Sequence, residues 1–372
     1  MIYLAIFSLV FGYVYEDNDS LIVQNDSLVI CGDHQYNIKV HISNAGKLKV
    51  TRWSAAADSF GKLNINAPVS IIEDSSSIIG SELGYFGAYM NSHAWGYGPG
   101  GGGAGGVGGG AGGGGAYGGN GGAGGDIYPG SGGNAYGDPQ DTLIDIGSGG
   151  GAGRLSALNG AGGDGGAEIS LRAQYMLLDS SYILTNGQRG HDGSLEAGGG
   201  GAGGGVMFWA DSMVINYVAI TANGGNGGDG SFGGGGGAGG GRIKLFYTNS
   251  LDTTHLSMSA QGGNPGTGTI GNPEPGSPGS IHIAQIVGIE EIASGLEPRF
   301  FLQSHIVRYQ AIMHVAEPPV VLHLYDATGC LVKSFRLEKT TECLKLRDLA
   351  QGVYFLKVGL KNNRVEKIIL LK

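Results

Sequence analysis

Two nine-residue segments have the residue types to bind calcium. GGAGGDIYP, from Gly121, fits the calcium nonapeptide GGxGxDxUx, and GGNGGDGSF, from Gly224, nearly does. Calcium-binding units of this kind run in tandem. Neither segment does, so both read as coincidences of a glycine-rich chain. The nine histidines are scattered, and no H-x-x-H or Cys/His cluster has metal-site spacing. His191-Asp192 sits in a glycine-rich turn and reads as a solvated loop. GxGxxG recurs many times, but none opens a helix after a strand, and there is no GK[ST]. No Ser, His and Asp grouping stands out. A groove could hold paired carboxylates for polysaccharide cleavage, yet no pair can be nominated. The chain is therefore expected to be non-enzymatic, with no cofactor and no metal.

Five aromatic residues group in GYFGAYMNSHAWGYGPGG: Tyr85, Phe86, Tyr89, Trp95 and Tyr97. Flat rings beside glycine could form a sugar-stacking or adhesive face, or they could cap glycine segments that have no side chains to bury. Three cysteines are too few for a disulfide framework. Cys330 and Cys343 could pair across a hairpin. The plainer reading is two partly buried thiols, because sequence does not set the geometry.

What positions these residues is an internal repeat. Ile169–Gly187 reads ISLRAQYMLLDSSYILTNG and Val206–Gly224 reads VMFWADSMVINYVAITANG, with starts 37 residues apart. A third copy starts another 37 on, at Ile243, with one residue inserted. A fragment follows at Ile281, and an earlier copy sits at Leu63. Ile169, Leu171 and Ala173 alternate with the polar Ser170 and Arg172, and Val206, Phe208 and Ala210, then Ile243, Leu245 and Tyr247, hold the same places in the later copies. A period of two puts each set on one face of a strand. A short second strand follows at Ile183, at Ile220 and Ala222, and at Met258 and Ala260. One unit cannot bury its own apolar face, so successive copies should stack in parallel. GKLKV at Gly46 recurs as GKLNI at Gly61, a spacing that suits compact rungs without insertions. The expected fold is all-β, a parallel β-solenoid or β-helix.

Glycine is 77 of 372 residues, gathered in tracts at Gly98–Gly125, Gly147–Gly166, Gly198–Gly205 and Gly233–Gly241. In the first tract non-glycine residues recur every third position, among them Tyr117, Asn120, Ala123 and Asp126. That is the period of a polyproline-II-type helix, and glycine lets several such helices bond side by side. Ordered polyglycine-II-like insertions are expected rather than free loops. Residues 1–298 carry 10 Lys+Arg against 25 Asp+Glu, whereas residues 299–372 carry 12 against 6. The shift marks a domain boundary near Pro298. An acidic body also argues against nucleic-acid binding. The N-terminal apolar run Ile2–Tyr15 is short for a bilayer span and fits a signal-peptide core, although no Lys or Arg precedes it. No other stretch could cross a membrane as a helix. The expected organisation is a signal peptide at 1–15, the glycine-rich solenoid at 16–287, a linker at 288–298 and a C-terminal domain at 299–372.

That last domain carries VVLHLYDATGCLVKSF (Val320–Phe335), CLKLRDLAQGVYFLKV (Cys343–Val358) and VEKIILLK (Val365–Lys372). It resembles the type A C-terminal sorting domain of the bacterial type IX secretion system. The matching features are strand-D-x-x-G-strand at Asp326 and Gly329, the L-x-x-G-x-Y turn at Gly352 and Tyr354, and the terminal strand from Lys367 to Lys372. The resemblance implies a small antiparallel Ig-like β-sandwich. It also implies the type IX machinery as partner, and a secreted or outer-membrane-surface location in a Gram-negative-type bacterium. The body resembles glycine-rich solenoid regions of bacterial surface and adhesin-like proteins, and its tracts are similar to those of certain receptor-kinase ectodomains and phage adhesins. That likeness implies display and contact with a glycan or surface. A polysaccharide-active β-helix enzyme is the alternative. An ice-binding protein is a more distant one, since the rungs show no threonine ladder.

Overall fold

In a computed structural model the chain divides into two units, Met1–Gly288 and Ile289–Lys372. The structure describes residues 12–286 except 58, 90–93 and 154–159. Beyond them it describes 300–302, 306–307, 310–315, 320–326, 330–339, 341–358 and 365–370. All regular structure among these residues is β. No helix there is long and apolar enough to cross a membrane. Residues 1–11 of the expected signal peptide and the whole of the expected linker lie outside the described residues.

The first unit opens with β1 (Tyr13–Glu16), which pairs antiparallel with β2 (Ser20–Gln24). The end of the N-terminal apolar run is thus an exposed strand. Then come β3 (Ser27–Ile30), β4 (Gly32–Gln35), β5 (Lys39–Ser43), β6 (Lys47–Val50), β7 (Lys62–Asn66), β8 (Val69–Ile72) and β9 (Ser77–Ile79). After a long glycine-rich excursion follow β10 (Glu168–Asp179), β11 (Tyr182–Leu184), β12 (Gly205–Asn216), β13 (Ala219–Thr221), β14 (Arg242–Thr254), β15 (Ser257–Ser259) and β16 (Ser280–Gln285). Two sheets result. The larger runs β1-β2-β5-β8-β10-β12-β14-β16, with β4 and β7 joined at β10; the smaller runs β15-β13-β11-β9-β6-β3. Apart from β1–β2, every pairing in them is parallel.

The repeat sets the register. Leu63, Ile169, Val206, Ile243 and Ile281 are aligned neighbours on successive strands. The first four are fully buried; Ile281, on the edge strand, is half open. Ile78, Ile183 and Ile220 stack the same way in the smaller sheet. Alternation sends Ile169 and Leu171 inward and Ser170 and Arg172 outward, so the copies bury one continuous apolar core between the sheets. The residue inserted in the third copy is taken up as a bulge, where the register slips between Ala210 and Ser212. The crossing from one sheet to the other uses a left-handed residue at equivalent places: Ser180, Tyr217 and His255. Pro68 explains why β7 and β8 are separate while β10 runs through. It has no N–H, and its carbonyl accepts from Gln174 and Tyr175 at 3.0 Å.

One expectation fails. GKLKV and GKLNI are not successive rungs: β6 belongs to the smaller sheet and β7 to the larger. The likeness reflects only a shared strand-entry pattern.

The described residues of the glycine tracts are hydrogen-bonded to one another. Gly112 and Gly115 donate to Ala197 and Gly200, Gly113 and Ala116 to Gly103 and Gly100, and Gly114 to Gly122, each at 2.9 Å. Their carbonyls accept from Gly236 and Gly239, from Gly151 and Ser148, and from Gly133, at 2.9–3.4 Å. Residues three apart therefore face the same neighbour, and six segments surround this one. A Cβ on Gly113 would collide with the Ser131 carbonyl, and one on Gly112 with that of Gly151. Ala111, Ala116, Ala152, Ala202 and Ala238, all fully or almost fully buried, occupy places where a methyl fits. The stacking also extends past the strands. Asn186 accepts from the Asn223 N–H and Asn223 from that of Gln261, while Asp192 accepts from Asp229 and Asp229 from Thr267, at 2.7–2.8 Å.

The second unit holds β17 (Phe300–Leu302), β18 (Ile306–Val307), β19 (Gln310–Val315), β20 (Val320–Asp326), β21 (Leu331–Leu337), β22 (Thr341–Lys345), β23 (Gly352–Val358) and β24 (Val365–Leu370). They form a three-stranded sheet, β17-β19-β22, and a five-stranded one, β18-β24-β23-β20-β21. All pairs are antiparallel except β18–β24. Among its described residues Leu322, Leu324, Leu337, Leu344, Leu346, Leu349, Tyr354 and Leu356 are buried.

Candidate functional site

The aromatic group is split between packed and exposed rings. Trp53, a ring outside the sequence cluster, gathers three of its members, with centroids 5.0 Å from Tyr85, 5.3 Å from Phe86 and 5.6 Å from Tyr97. The Arg52 guanidinium lies 4.9 Å over Phe86 and pairs with Asp164, a buried carboxylate that also accepts from the Gly87 N–H. These half-buried rings pack where the glycine excursion leaves the sheets. Tyr89 and Trp95 are the exposed members, at 61% and 57%. Met90 to His93 between them lie outside the described residues.

The calcium-like segments resolve into two different things. Asp229 is bound up in the loop ladder and pairs with Arg189 at 2.6 Å. Hydrogen bonds from the Thr267 N–H and hydroxyl hold its carboxyl below the usual range. Asp192 belongs to the same ladder, so His191-Asp192 is a stacked loop and not a merely solvated one. Asp126, with left-handed backbone, instead meets the carboxyl of Glu196. Glu196 is fully buried; one oxygen accepts from the Gly110 N–H at 3.1 Å and the other has no hydrogen-bond partner. Burial, then the Asp126 carboxyl, push the Glu196 pKa up to about 7. No group of three or more metal-binding side chains occurs among the described residues.

This pair has a pH signature. Between about pH 4.5 and 7 the folded chain keeps a proton on Glu196 that the unfolded chain has lost. Stability therefore falls as pH rises through that window, by on the order of 3 kcal/mol. Asp229 and Asp141, whose pKa values are lowered, act below this window and with the opposite sign. Urea melts of wild type and Glu196→Gln at pH 5, 6, 7 and 8 should show the slope in the first and a flattened profile in the second. Equal slopes would remove Glu196 as the cause.

A cleft that no sequence motif marked lies on the outer face of the larger sheet. Its volume is about 390 Å³. Asp33 and Gln35 of β4, Asn64 and Asn66 of β7 and Glu168 and Arg172 of β10 form the floor. Thr142 to Ile144 form a wall. That wall is a strap pinned by two cations. The fully buried Lys244 ammonium contacts the Asp138, Asp141 and Leu143 carbonyls and the Asp141 carboxylate at 2.6–2.9 Å. The Arg242 guanidinium binds the Tyr136 and Gly137 carbonyls at 2.8 and 2.9 Å. Inside, Asn64 donates to Asp33 at 2.8 Å, and Lys62 pairs with Glu168 at 3.2 Å. Burial raises the Glu168 pKa, and Lys62 opposes that rise. The alternation rule places all these side chains outward, but their convergence depends on stacking over offsets of 31 and 106 residues.

In the second unit, Asp326 closes a tight turn. Its N–H donates to the Cys330 carbonyl and its carboxylate accepts the Cys330 N–H, both at 3.0 Å. Gly329, inside that turn, lies outside the described residues. Gly352 opens β23, and the Tyr354 hydroxyl reaches back to the Ala350 carbonyl at 2.8 Å. Lys367 pairs with Phe355 along β24, and Lys372 lies outside the described residues. Cys330 is a free and exposed thiol, so it is neither bridged nor partly buried. Cys343 sits on β22 of the other sheet, not across a hairpin from it.

A comparison of the chain with curated proteins finds no match. Residues 310–372 do match a family, starting some ten residues later than the sequence resemblance was drawn. They carry the β20–β21 turn, the Gly352–Tyr354 segment and the last strand, and they are similar to the secretion system C-terminal sorting domain, which supports export of this chain by type IX secretion to the cell surface or beyond.

Proposed function

We propose that the protein is a non-enzymatic surface protein that attaches its cell to a glycan or another surface. In this reading the first unit is a parallel β-solenoid carrying a polyglycine-II-like bundle, and the second is an Ig-like sandwich that serves export. The sorting-domain match at 310–372 is the observation that carries the export and surface part of this reading. The body supports it too: hydrogen-bonded glycine segments make a stiff platform, and Tyr89 and Trp95 stand exposed on it. Tyr97 packs against Trp53, so Trp95 is the better contact residue of these two. The test is a glycan-array and surface-binding screen of the purified protein beside Trp95→Ala and Tyr97→Ala. Retention should fall with Trp95→Ala, and the share of it that the ring carries should resist moderate salt, because stacking contacts make little use of net charge. Equal retention by all three proteins would take the rings out of the mechanism. The cleft with Asp33 and Glu168 favours a second reading, a polysaccharide-active enzyme. Release of reducing ends from any glycan would decide for it.

A further inference from the structure

We propose that the cleft between the larger sheet and the Tyr136–Ile146 strap binds a carboxylated glycan chain, with Arg172 holding a sugar carboxylate. The proposal rests on the attachment reading and names the ligand class for it.

The first argument is charge. Residues 1–298 carry 15 more acidic than basic side chains, yet the cleft displays an exposed guanidinium with no carboxylate partner among the described residues. Arg172 lies 5.1 Å over the Trp209 ring, which in turn packs 5.5 Å from Phe246. That contact holds the guanidinium against the ring while Arg172 stays exposed, and a guanidinium so placed can give two parallel hydrogen bonds to a carboxylate. Lys62 is occupied by Glu168 at 3.2 Å, and Lys244 by the strap. Among the described residues lining the cleft, Arg172 is thus the guanidinium left open to a ligand.

The second argument is the polar pattern. Asp33, Asn64 and Asn66 stand on neighbouring parallel strands, about 4.8 Å apart across the sheet and about 6.6 Å apart along it. Such an array offers donors and acceptors at the spacing of hydroxyls on consecutive sugars. Leu143 and Met207 add apolar surface for the C–H faces of the rings. The third argument is rigidity. The Lys244 and Arg242 latches hold the wall in place before any ligand arrives, which limits the ordering cost of binding. The volume suits a small ligand.

The experiment is calorimetric titration of the full chain with trimers of galacturonate, glucuronate and mannuronate, each beside its carboxyl-reduced neutral counterpart and its free monomer. At least one acidic trimer should bind, at least about tenfold tighter than its neutral form. Raising the salt should weaken that binding. Arg172→Gln should lose about tenfold or more, Arg172→Lys should fall between, and Lys49→Gln, on the smaller sheet, should match wild type. Thermal melts identify any variant that fails to fold; if Arg172→Gln does, Arg172→Lys carries the comparison. Binding by the monomer as tight as by the trimer would reduce the site to a lone-anion contact and overturn the glycan claim. So would equal binding of acidic and neutral trimers, unchanged affinity in the Arg172 variants, or no binding of any trimer. The Trp95 screen judges the attachment reading separately.

Discussion

A chain cut after Pro298 is expected to remain in the periplasm of a host with type IX secretion, with almost none at the surface or in the medium. The residues removed hold the whole 310–372 sorting-domain match. The cut falls just beyond the boundary between the two units, so the body keeps its own core and should accumulate folded and protease-resistant. The Ile2–Tyr15 run is expected to bring both the full chain and the truncated one that far. Cell fractionation and immunoblotting read the result. A reporter fused to residues 299–372 supplies the converse arm and should be exported. Normal surface levels of the truncated protein would sink the sorting assignment, and a periplasmic fusion would show that the domain alone is not sufficient. Asp326→Ala gives a finer test, since that carboxylate holds its turn through the Cys330 N–H and its loss removes a hydrogen bond worth about 1–3 kcal/mol.

The strand register was legible because it is local and periodic. Ile169, Val206 and Ile243 repeat at a fixed interval, and the first two copies end in the same Asn-Gly pair, so parallel stacking follows from burial of the shared apolar positions. The β20–β21 turn was legible for a similar reason, since an Asp and a Gly at fixed spacing make a turn in most contexts. The cleft was not. Asp33, Asn64 and Arg172 come from strands far apart in sequence, and none belongs to a motif. Their meeting is a consequence of the stacking order, which the glycine excursion between β9 and β10 conceals. The Asp126–Glu196 pair was hidden likewise: the segment around Asp126 drew notice as a calcium-like string, while its real neighbour lies 70 residues on. The aromatic cluster was half legible. Sequence proximity gathered five rings, but Trp53 divides them into packed and exposed sets, and Trp53 lies outside the segment. GKLKV and GKLNI misled because a strand-entry pattern says nothing about which of two sheets it enters.

Gly113→Val should be among the most destabilising single substitutions in the body, by about 3–5 kcal/mol. Gly113 sits inside the six-segment array, donating to Gly103 and accepting from Gly151, both at 2.9 Å. A side chain there meets the Ser131 and Gly130 carbonyls, and backbone cannot give way as the end of a flexible side chain can. Overpacking costs about 1–3 kcal/mol, and each buried peptide group pushed off its partner adds about 1–3 kcal/mol. The damage should not stay local. The segments around Gly113 include Ala197–Gly200 and Gly236–Gly239, and these lead directly into β12 and β14. Their alignment is what delivers Val206 and Ile243 to the core in register. A single melting transition, lowered by roughly 10 °C, is therefore expected by circular dichroism. Val107→Ala in the same tract is the control: Val107 is 80% exposed, and its truncation should change stability by less than about 0.5 kcal/mol. If Gly113→Val melted like Val107→Ala, the tract would have to be a loose loop, and the sheets would owe nothing to it. If instead an early, separate transition appeared while the main one stayed in place, the glycine bundle would be an independent cooperative unit and not a brace for the strands.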